Sequence, residues 1–280
     1  MEYLTLNNGI KMPLVGFGTF QLTDKNECEK SIVSAIHAGY RMIDTAQAYG
    51  NEEYVGNAIK ACGVEREELF ITTKLWFRNY EKTDAEKSLN DSLMKLQLDY
   101  ADMVLLHWPY GNVYEAWRTL ERFYEAGKIR AIGISNFDPD RMIDLITFNK
   151  IKPCINQIET HLFCQRKNER KWMKKYEMAH QAYAPLGQGL VNEMFENETV
   201  KRIALNHSKT PAQIALHFLV QNGISVIPKS IHLDRIKENI DIFDFTLTND
   251  EMTDLSLLDT AKPMIGNSET PETTEFAMTW

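Results

Sequence analysis

The sequence predicts an α/β fold, a closed (β/α)8 barrel of the TIM type. Two observations carry this. Eight short apolar runs recur along the chain, "LVGFGT", "RMID", "LFITTK", "MVLLHW", "AIGIS", "CINQIE", "QAYAP" and "SVIP", separated by longer stretches with helical spacing. The dinucleotide fingerprint of an open doubly wound sheet is also missing. Gly16-Phe-Gly18-Thr-Phe-Gln21 lacks the third glycine, and so does the stretch after Gly187-Gln-Gly189. Strands alternating with helices imply parallel pairing and right-handed crossovers, and eight such units suit a closed barrel.

The elements follow in order. "YLTL", Asn8-Gly9 and "IKMP" read as a β-hairpin over residues 1–12, with a type I′ turn. Ser31, Ile32, Ala35 and Ile36 share one helix face, with Gly39 as a stop. Thr83-Asp-Ala-Glu86 reads as a capping box ahead of Leu89, Leu93 and Leu96. Thr210-Pro-Ala-Gln213 and Thr248-Asn-Asp-Glu251 read the same way, the first with proline at the favoured first helical position. Gly127 ends the helix around "YEAWRTLERFYEA". No Pro/Ser-rich linker divides the 280 residues, so one domain is expected, with residues from about 261 to 280 as a loop or tail.

Composition narrows the function. A formal net charge of −8 argues against non-specific nucleic-acid binding, so an anionic ligand needs a local basic pocket. Cys28, Cys62, Cys154 and Cys164 make no C-x-x-C or metal-finger spacing. The opening "MEYLTLNNGI" has no basic or apolar leader region, and no apolar run reaches the roughly 20 residues of a membrane span. A cytoplasmic protein with no obligate protein partner and no metal is expected.

In such a barrel the chemistry gathers at the C-terminal ends of the strands. Here those ends are polar. The second run closes on Asp44, with Tyr49 just after; the third closes on Lys74 and the fourth on His107. The fifth gives Ser135 and Asn136, the sixth Asn156, Gln157 and Glu159, the seventh Tyr183, and the eighth Lys229 and Ser230. Each has a bland alternative: a turn aspartate, a surface lysine, a core histidine. Together they make a workable proton-transfer site. An ammonium favours the phenolate of a neighbouring tyrosine, a carboxylate holds the ammonium, and a neutral histidine can hydrogen-bond a substrate oxygen. Such a set can protonate a carbonyl oxygen as a hydride reaches its carbon, and the hydride must come from a cofactor.

The stretches "MPLVGFGTF", "GYRMIDTAQAYGNEEYVGNAI", "LFITTKLW", "LDYADMVLLHWP", "GKIRAIGISNF", "NQIETH", "YAPLGQG" and "VIPKSIHLDRIKENIDIFDF" resemble the aldo-keto reductases over nearly the whole chain. The likeness runs toward bacterial members similar to 2,5-diketogluconate reductases and prostaglandin F synthase-like enzymes. The resemblance implies a barrel that binds NADPH extended, with hydride leaving the A face, and reduces a small-molecule carbonyl substrate. It implies Tyr49 as proton donor, Lys74 lowering its pKa, Asp44 pairing with Lys74, and His107 orienting the carbonyl. For the cofactor it implies Gly18, Thr19 and Phe20 beside Asp44, Tyr183 stacked on the nicotinamide, and Ser135, Asn136 and Gln157 on the carboxamide. Leu186, Gly187 and Gly189 would pack over the pyrophosphate. Lys229, Ser230 and Arg235, with Glu238 and Asn239 nearby, would take the 2′-phosphate end. Ala184 and Gln188 depart from the serine and arginine of many relatives, which bears on phosphate contacts.

Phe20, Tyr49, Trp76, Phe77, His107 and Trp108 would line an aromatic substrate pocket, closed over by Phe276 and Trp280. Two other readings stand beside this one. The first is a nicotinamide-binding accessory subunit with little turnover. The second is a barrel hydrolase or lyase that uses His107, Glu159 and His161 on a metal, or Lys74 as an amine nucleophile.

Overall fold

The computed structural model describes residues 2–265 and 270–279. All eight apolar runs form strands. After the hairpin strands β1 (Tyr3–Thr5) and β2 (Lys11–Pro13) come β3 (Phe17–Gly18), β4 (Met42–Asp44), β5 (Phe70–Leu75) and β6 (Ala101–Leu106). They continue with β7 (Ile129–Ser135), β8 (Ile155–Glu159), β9 (Ala179–Tyr183) and β10 (Ser225–Val226). Strands β3 to β10 pair in sequence order, every neighbour parallel. A parallel bridge between Val15 and Val226 joins the two ends: Val226 N donates to Leu14 O and Gly16 N to Val226 O, each at 2.8 Å. The sheet is closed.

Strand side chains alternate, and the two parities have different jobs. Ile43, Ile71, Val104, Ile132 and Val226 face outward into the cores beneath the helices. Met42, Phe70, Met103, Leu105 and Ile155 face inward and pack with Leu6 and Met12 from the hairpin. The hairpin thus plugs the N-terminal mouth, and Asn7 and Asn8 tie its turn to Pro153 O at 2.9 Å and Arg130 O at 3.0 Å. Further along the same inward parity the residues turn polar: Asp44, Lys74, Gln157 and Gln181. One end of the barrel interior is oily and sealed; the other is polar.

Local expectations met mixed outcomes. The Thr210–Gln213 and Thr248–Glu251 capping boxes form in full. The box at Thr83 does not. That helix, Lys82–Leu96, starts after Glu81, whose carbonyl accepts from Ala85 N at 2.7 Å, so Thr83 already lies inside the first turn. The hairpin turn is not type I′. Only Gly9 takes a positive φ, +85°. Gly9 N donates to Leu6 O, and Leu6 N to Ile10 O, each at 2.9 Å. A three-residue loop with a bulge at the glycine replaces the two-residue turn. The C-terminal segment is not wholly irregular: Thr270 caps a short helix, Pro271–Ala277, with proline in its first turn.

Gly133, mid-way along β7, has no room for a side chain. A Cβ there would lie 2.6 Å from Ile155 Cγ2 and 2.7 Å from Leu105 Cδ2, in the sealed half of the barrel. Gly133→Ala is expected to cost about 1–3 kcal/mol by overpacking, read as a lower urea midpoint with an unchanged slope.

Candidate active site

The polar mouth is built around one buried cation. Lys74, near the end of β5, and Asp44, the last residue of β4, are both almost fully buried. The Lys74 ammonium donates to Asp44 Oδ1, to Thr45 O at 2.9 Å and to Tyr49 Oη at 3.3 Å. The register pairs Asp44 with Thr72, so Lys74 starts two residues higher and lies alongside the carboxylate.

Tyr49 closes a single 3₁₀ turn, Gln47–Tyr49, and Gly50 reverses the chain with φ +67°. Two side chains fix that turn. Gln47 Oε1 accepts from Trp76 N at 2.9 Å and from Asn79 Nδ2 at 3.2 Å, while its amide donates to Ser88 O and Ser92 Oγ. Buried Asn51 donates to Thr19 O at 2.9 Å and Leu22 O at 3.1 Å, and accepts from Thr45 Oγ1 at 2.8 Å. Sequence reasoning passed over both. An asparagine after a glycine reads as an ordinary turn residue, and nothing local marks Gln47 as an anchor.

His107 follows β6, and its ring lies 5.7 Å from that of Tyr49. Its Nδ1 is buried without a hydrogen-bond partner among the described residues. Burial, helped by the Lys74 charge, holds its pKa well below the ordinary 6.5, so the ring is neutral. Burial also raises the Tyr49 phenol above its ordinary 10. Lys74 pulls it down, but burial and Asp44 together outweigh that pull. The expected influence of Lys74 is present, and the net direction is still upward, so Tyr49 keeps its proton at neutral pH. Burial works against the Lys74 charge as well, yet Asp44 and Tyr49 hold its pKa above 10.5.

A cleft of about 540 Å³ leads away from this set. Gly18, Thr19 and Phe20 line its near end beside Asp44 and Tyr49. Tyr183 and Leu186 line the middle, and Lys229, Ser230, Arg235, Glu238 and Asn239 the far end. Gly187 and Gly189 shape the adjoining loop with φ of +65° and +88°. Gln188, one of the two departures from the family pattern, lines the cleft too, as do Asn192 and Phe195, which had no sequence signal beyond their position after the seventh run. Among the described residues Lys229 and Arg235 make no ion pair, so two uncompensated cations and a hydroxyl stand at one lip. That donor set fits a phosphate.

Ser135, Asn136 and Gln157 sit behind the Asp44, Tyr49, Lys74 and His107 cluster and are engaged. Ser135 Oγ donates to Gln157 O at 2.8 Å, and Asn136 Nδ2 to His107 O at 3.1 Å. Tyr183 Oη donates to Asn136 Oδ1 at 2.8 Å, and Gln157 Nε2 to Asp44 Oδ2 at 2.7 Å. On the other side of Tyr49, the Phe20 ring lies 5.0 Å away. Trp76 stands 5.2 Å from His107 and 4.3 Å from Phe77, and Trp108 stacks on Tyr110 farther out. Phe276 is exposed, and Trp280 lies outside the described residues. The tail reaches the rim at two points: Met264 N and Ile265 N donate to Glu159 at 2.7 Å, and Arg78, next to Phe77, donates to Met278 O at 2.7 Å. Glu159 and His161 therefore hold each other and the tail. Among the described residues no group of three metal-ligating side chains forms.

The sequence profile of the Aldo/keto reductase family matches residues 14–259. The chain belongs to the aldo/keto reductase family. It is 45% identical to glyoxal reductase of Bacillus subtilis (strain 168) over 260 residues, 92% of each chain. It is 40% identical to methylglyoxal reductase DkgA of Escherichia coli (strain K12), over 92% of this chain and 94% of that one. An aldo-keto reductase from a Medee basin deep-sea metagenome library, solved as MGS-M4, superposes with a TM-score of 0.93 at 41% identity, covering 95% of this chain and 98% of that one. This aldo/keto reductase is thus an oxidoreductase that acts on small-molecule carbonyl groups and uses a nicotinamide cofactor. Among its described residues no helix is long and apolar enough to cross a membrane.

The neutral, buried histidines of this reductase make its stability depend on pH. His180, like His107, is pushed well below 6.5, chiefly by burial and then by Arg170 and Arg166. An unfolded histidine takes up a proton near pH 6.5; these folded rings do not. The unfolded state therefore binds more protons as pH falls through 6.5, and the fold loses stability there. Each ring should cost about 1 kcal/mol near pH 5.5, measured as the drop in urea midpoint from about pH 7.5. His180→Asn should flatten its share of that drop.

Proposed function

We propose that the chain reduces small aldehydes and ketones to alcohols with NADPH, with Tyr49 as the proton donor, in the cytoplasm. The observation that carries this is Tyr49 Oη within 3.3 Å of an ammonium that Asp44 fixes, facing a neutral His107 at the mouth of a long cleft. When bound, the nicotinamide supplies hydride to the carbonyl carbon. Tyr49 gives its phenolic proton to the carbonyl oxygen, and Lys74 stabilises the phenolate left behind. Asp44 keeps Lys74 charged and in place. His107 donates a hydrogen bond to the same oxygen and positions it. In oxidation Tyr49 acts in reverse, as the base.

Tyr183 offers the stacking face, with Ser135, Asn136 and Gln157 near the carboxamide. Gly18, Thr19 and Phe20 would border the ring, and the loop with Leu186, Gly187 and Gly189 would hold the pyrophosphate. Lys229, Ser230 and Arg235 would hold the adenosine 2′-phosphate, with Glu238 and Asn239 lining the same end of the cleft. NADPH is favoured over NADH because the Lys229 and Arg235 charges need an anion and, among the described residues, have no carboxylate of their own. Phe20, Trp76, Phe77 and Trp108 form the apolar wall on the substrate side. The names of the glyoxal and methylglyoxal reductases favour small 2-oxoaldehydes as substrates.

Two experiments test the reading. Tyr49→Phe should lower turnover of methylglyoxal and glyoxal by roughly 10²–10⁴-fold while NADPH still binds, seen by fluorescence titration. Full activity in that variant would overturn the assignment. Lys229→Ala and Arg235→Ala should each raise KM for NADPH about tenfold or more and leave KM for NADH nearly unchanged. Equal losses with both cofactors would overturn the 2′-phosphate assignment.

A further inference from the structure

Gln181 does not line the active-site cleft. It lies mid-way along β9 with its side chain inside the barrel, and it belongs to a chain of buried polar groups that ends at the catalytic pair. Ser225 Oγ donates to Pro13 O at 3.3 Å. Gln181 Nε2 donates to Ser225 Oγ at 3.1 Å and makes a longer contact to Met42 Sδ at 3.6 Å. Gln157 Nε2 donates to Gln181 Oε1 and to Asp44 Oδ2, each at 2.7 Å. Asp44 Oδ1 accepts from Lys74, which reaches Tyr49. Asp44, Gln157, Gln181 and Ser225 are all 1% exposed or less.

The direction of every bond in this chain is fixed by what its ends can do. The Pro13 carbonyl can only accept, so the Ser225 hydroxyl donates to it and must accept from Gln181. The Gln181 amide nitrogen is then the end turned to Ser225, and its oxygen must face Gln157. Gln157 presents its nitrogen, with one hydrogen for Gln181 and one for Asp44. A carboxylate also only accepts, so the Asp44 end demands the same orientation. Both ends agree, and no member can flip its amide without setting two acceptors or two donors against each other in a dry interior.

We infer that Gln181 is a positioning residue for carbonyl reduction: by fixing the Gln157 amide against Asp44 Oδ2 it holds the carboxylate, and through it Lys74 and Tyr49, in register. This rests on the proposed role of Tyr49 as proton donor. Without an acceptor at residue 181, Gln157 is free to turn from Asp44. The carboxylate then loses one of its two donors. Its uncompensated charge raises the phenol's affinity for its proton, and the ammonium loses a rigid partner. Gln181→Glu keeps an acceptor at the same place in either protonation state. When protonated, its hydroxyl can still donate to Ser225.

The test compares Gln181→Leu, Gln181→Glu and Ser225→Ala with the wild type in methylglyoxal reduction. NADPH affinity and melting temperature are measured alongside. Gln181→Leu should lower kcat about tenfold, a larger factor than any loss of NADPH affinity through the released Gln157, and move the alkaline limb of the kcat profile to higher pH. Gln181→Glu should restore most of kcat and return the limb toward wild type. Ser225→Ala, one bond farther away, should shift both in the same direction by less. If Gln181→Leu does not fold, the Ser225→Ala and Gln181→Glu profiles decide the question alone. Wild-type kcat and pH limb in folded Gln181→Leu, or in Ser225→Ala where Gln181→Leu fails to fold, would overturn the inference. So would a Gln181→Glu that is as impaired as the leucine variant. Tyr49→Phe separates the two ideas. If it stays active, the proton-donor reading falls; if it is inactive while Gln181→Leu is normal, only the positioning role falls.

Discussion

The Lys74–Asp44 pair is the constraint around which the polar end of the barrel is arranged. Both charges are out of water, and stripping hydration from two such ions costs several kcal/mol for each. The pair offsets that cost only because its remaining bonding capacity is met: Thr45 O and Tyr49 accept from the ammonium, and Gln157 donates to the second carboxylate oxygen. Every one of these partners depends on strand register. A one-residue slip of β5 against β4 would turn Lys74 outward into the apolar layer beneath the helices. The closed sheet and the plugged lower mouth therefore serve the site as much as the fold.

Around that single cation stand two groups that stay neutral for opposite reasons. A tyrosine is neutral when protonated, and burial favours that form. A histidine is neutral when deprotonated, and burial favours that form too. Lys74 opposes burial at Tyr49 and reinforces it at His107. Desolvation wins at both, so the proton sits on the phenol and not on the imidazole. The dry aromatic surroundings, Phe20 against Tyr49 and Trp76 against His107, are part of this electrostatic arrangement.

Much of this was legible in the sequence because the strand period is two. Met42/Asp44, Phe70/Lys74 and Ile155/Gln157 each read apolar then polar on one parity, which gives a sealed end and a reactive end. What escaped the sequence was bonding between distant segments. Asn51 joins the Thr19–Leu22 loop to Thr45, and Gln181 meets Gln157 and Ser225; no local pattern separates these side chains from ordinary turn or strand residues. The type I′ turn failed for a related reason. Asn8-Gly9 fits that turn by type, but Asn7 gave the loop a third residue and the register followed the longer form. At Thr83 the local motif was sound and the helix simply began earlier, because Glu81 could already accept the first bond.

The same competition between local and distant partners explains the far end of the cleft. Arg235 and Glu238 are three apart on the helix Leu233–Ile240, a spacing at which opposite charges ordinarily pair on the surface. They do not pair here. Thr210 Oγ1 donates to Glu238 Oε1 at 2.6 Å while the same hydroxyl oxygen accepts from Gln213 N to cap the preceding helix, Pro211–Gln221. The capping threonine draws the carboxylate away, and Arg235 stays uncompensated beside Lys229. In a chain of net charge −8 the long-range field repels an anionic ligand, and that field is screened within about 8 Å at physiological salt. Attraction at the cleft must then come from charges at contact range. A helix cap thereby helps leave Arg235 without an ion pair among the described residues at that lip of the cleft.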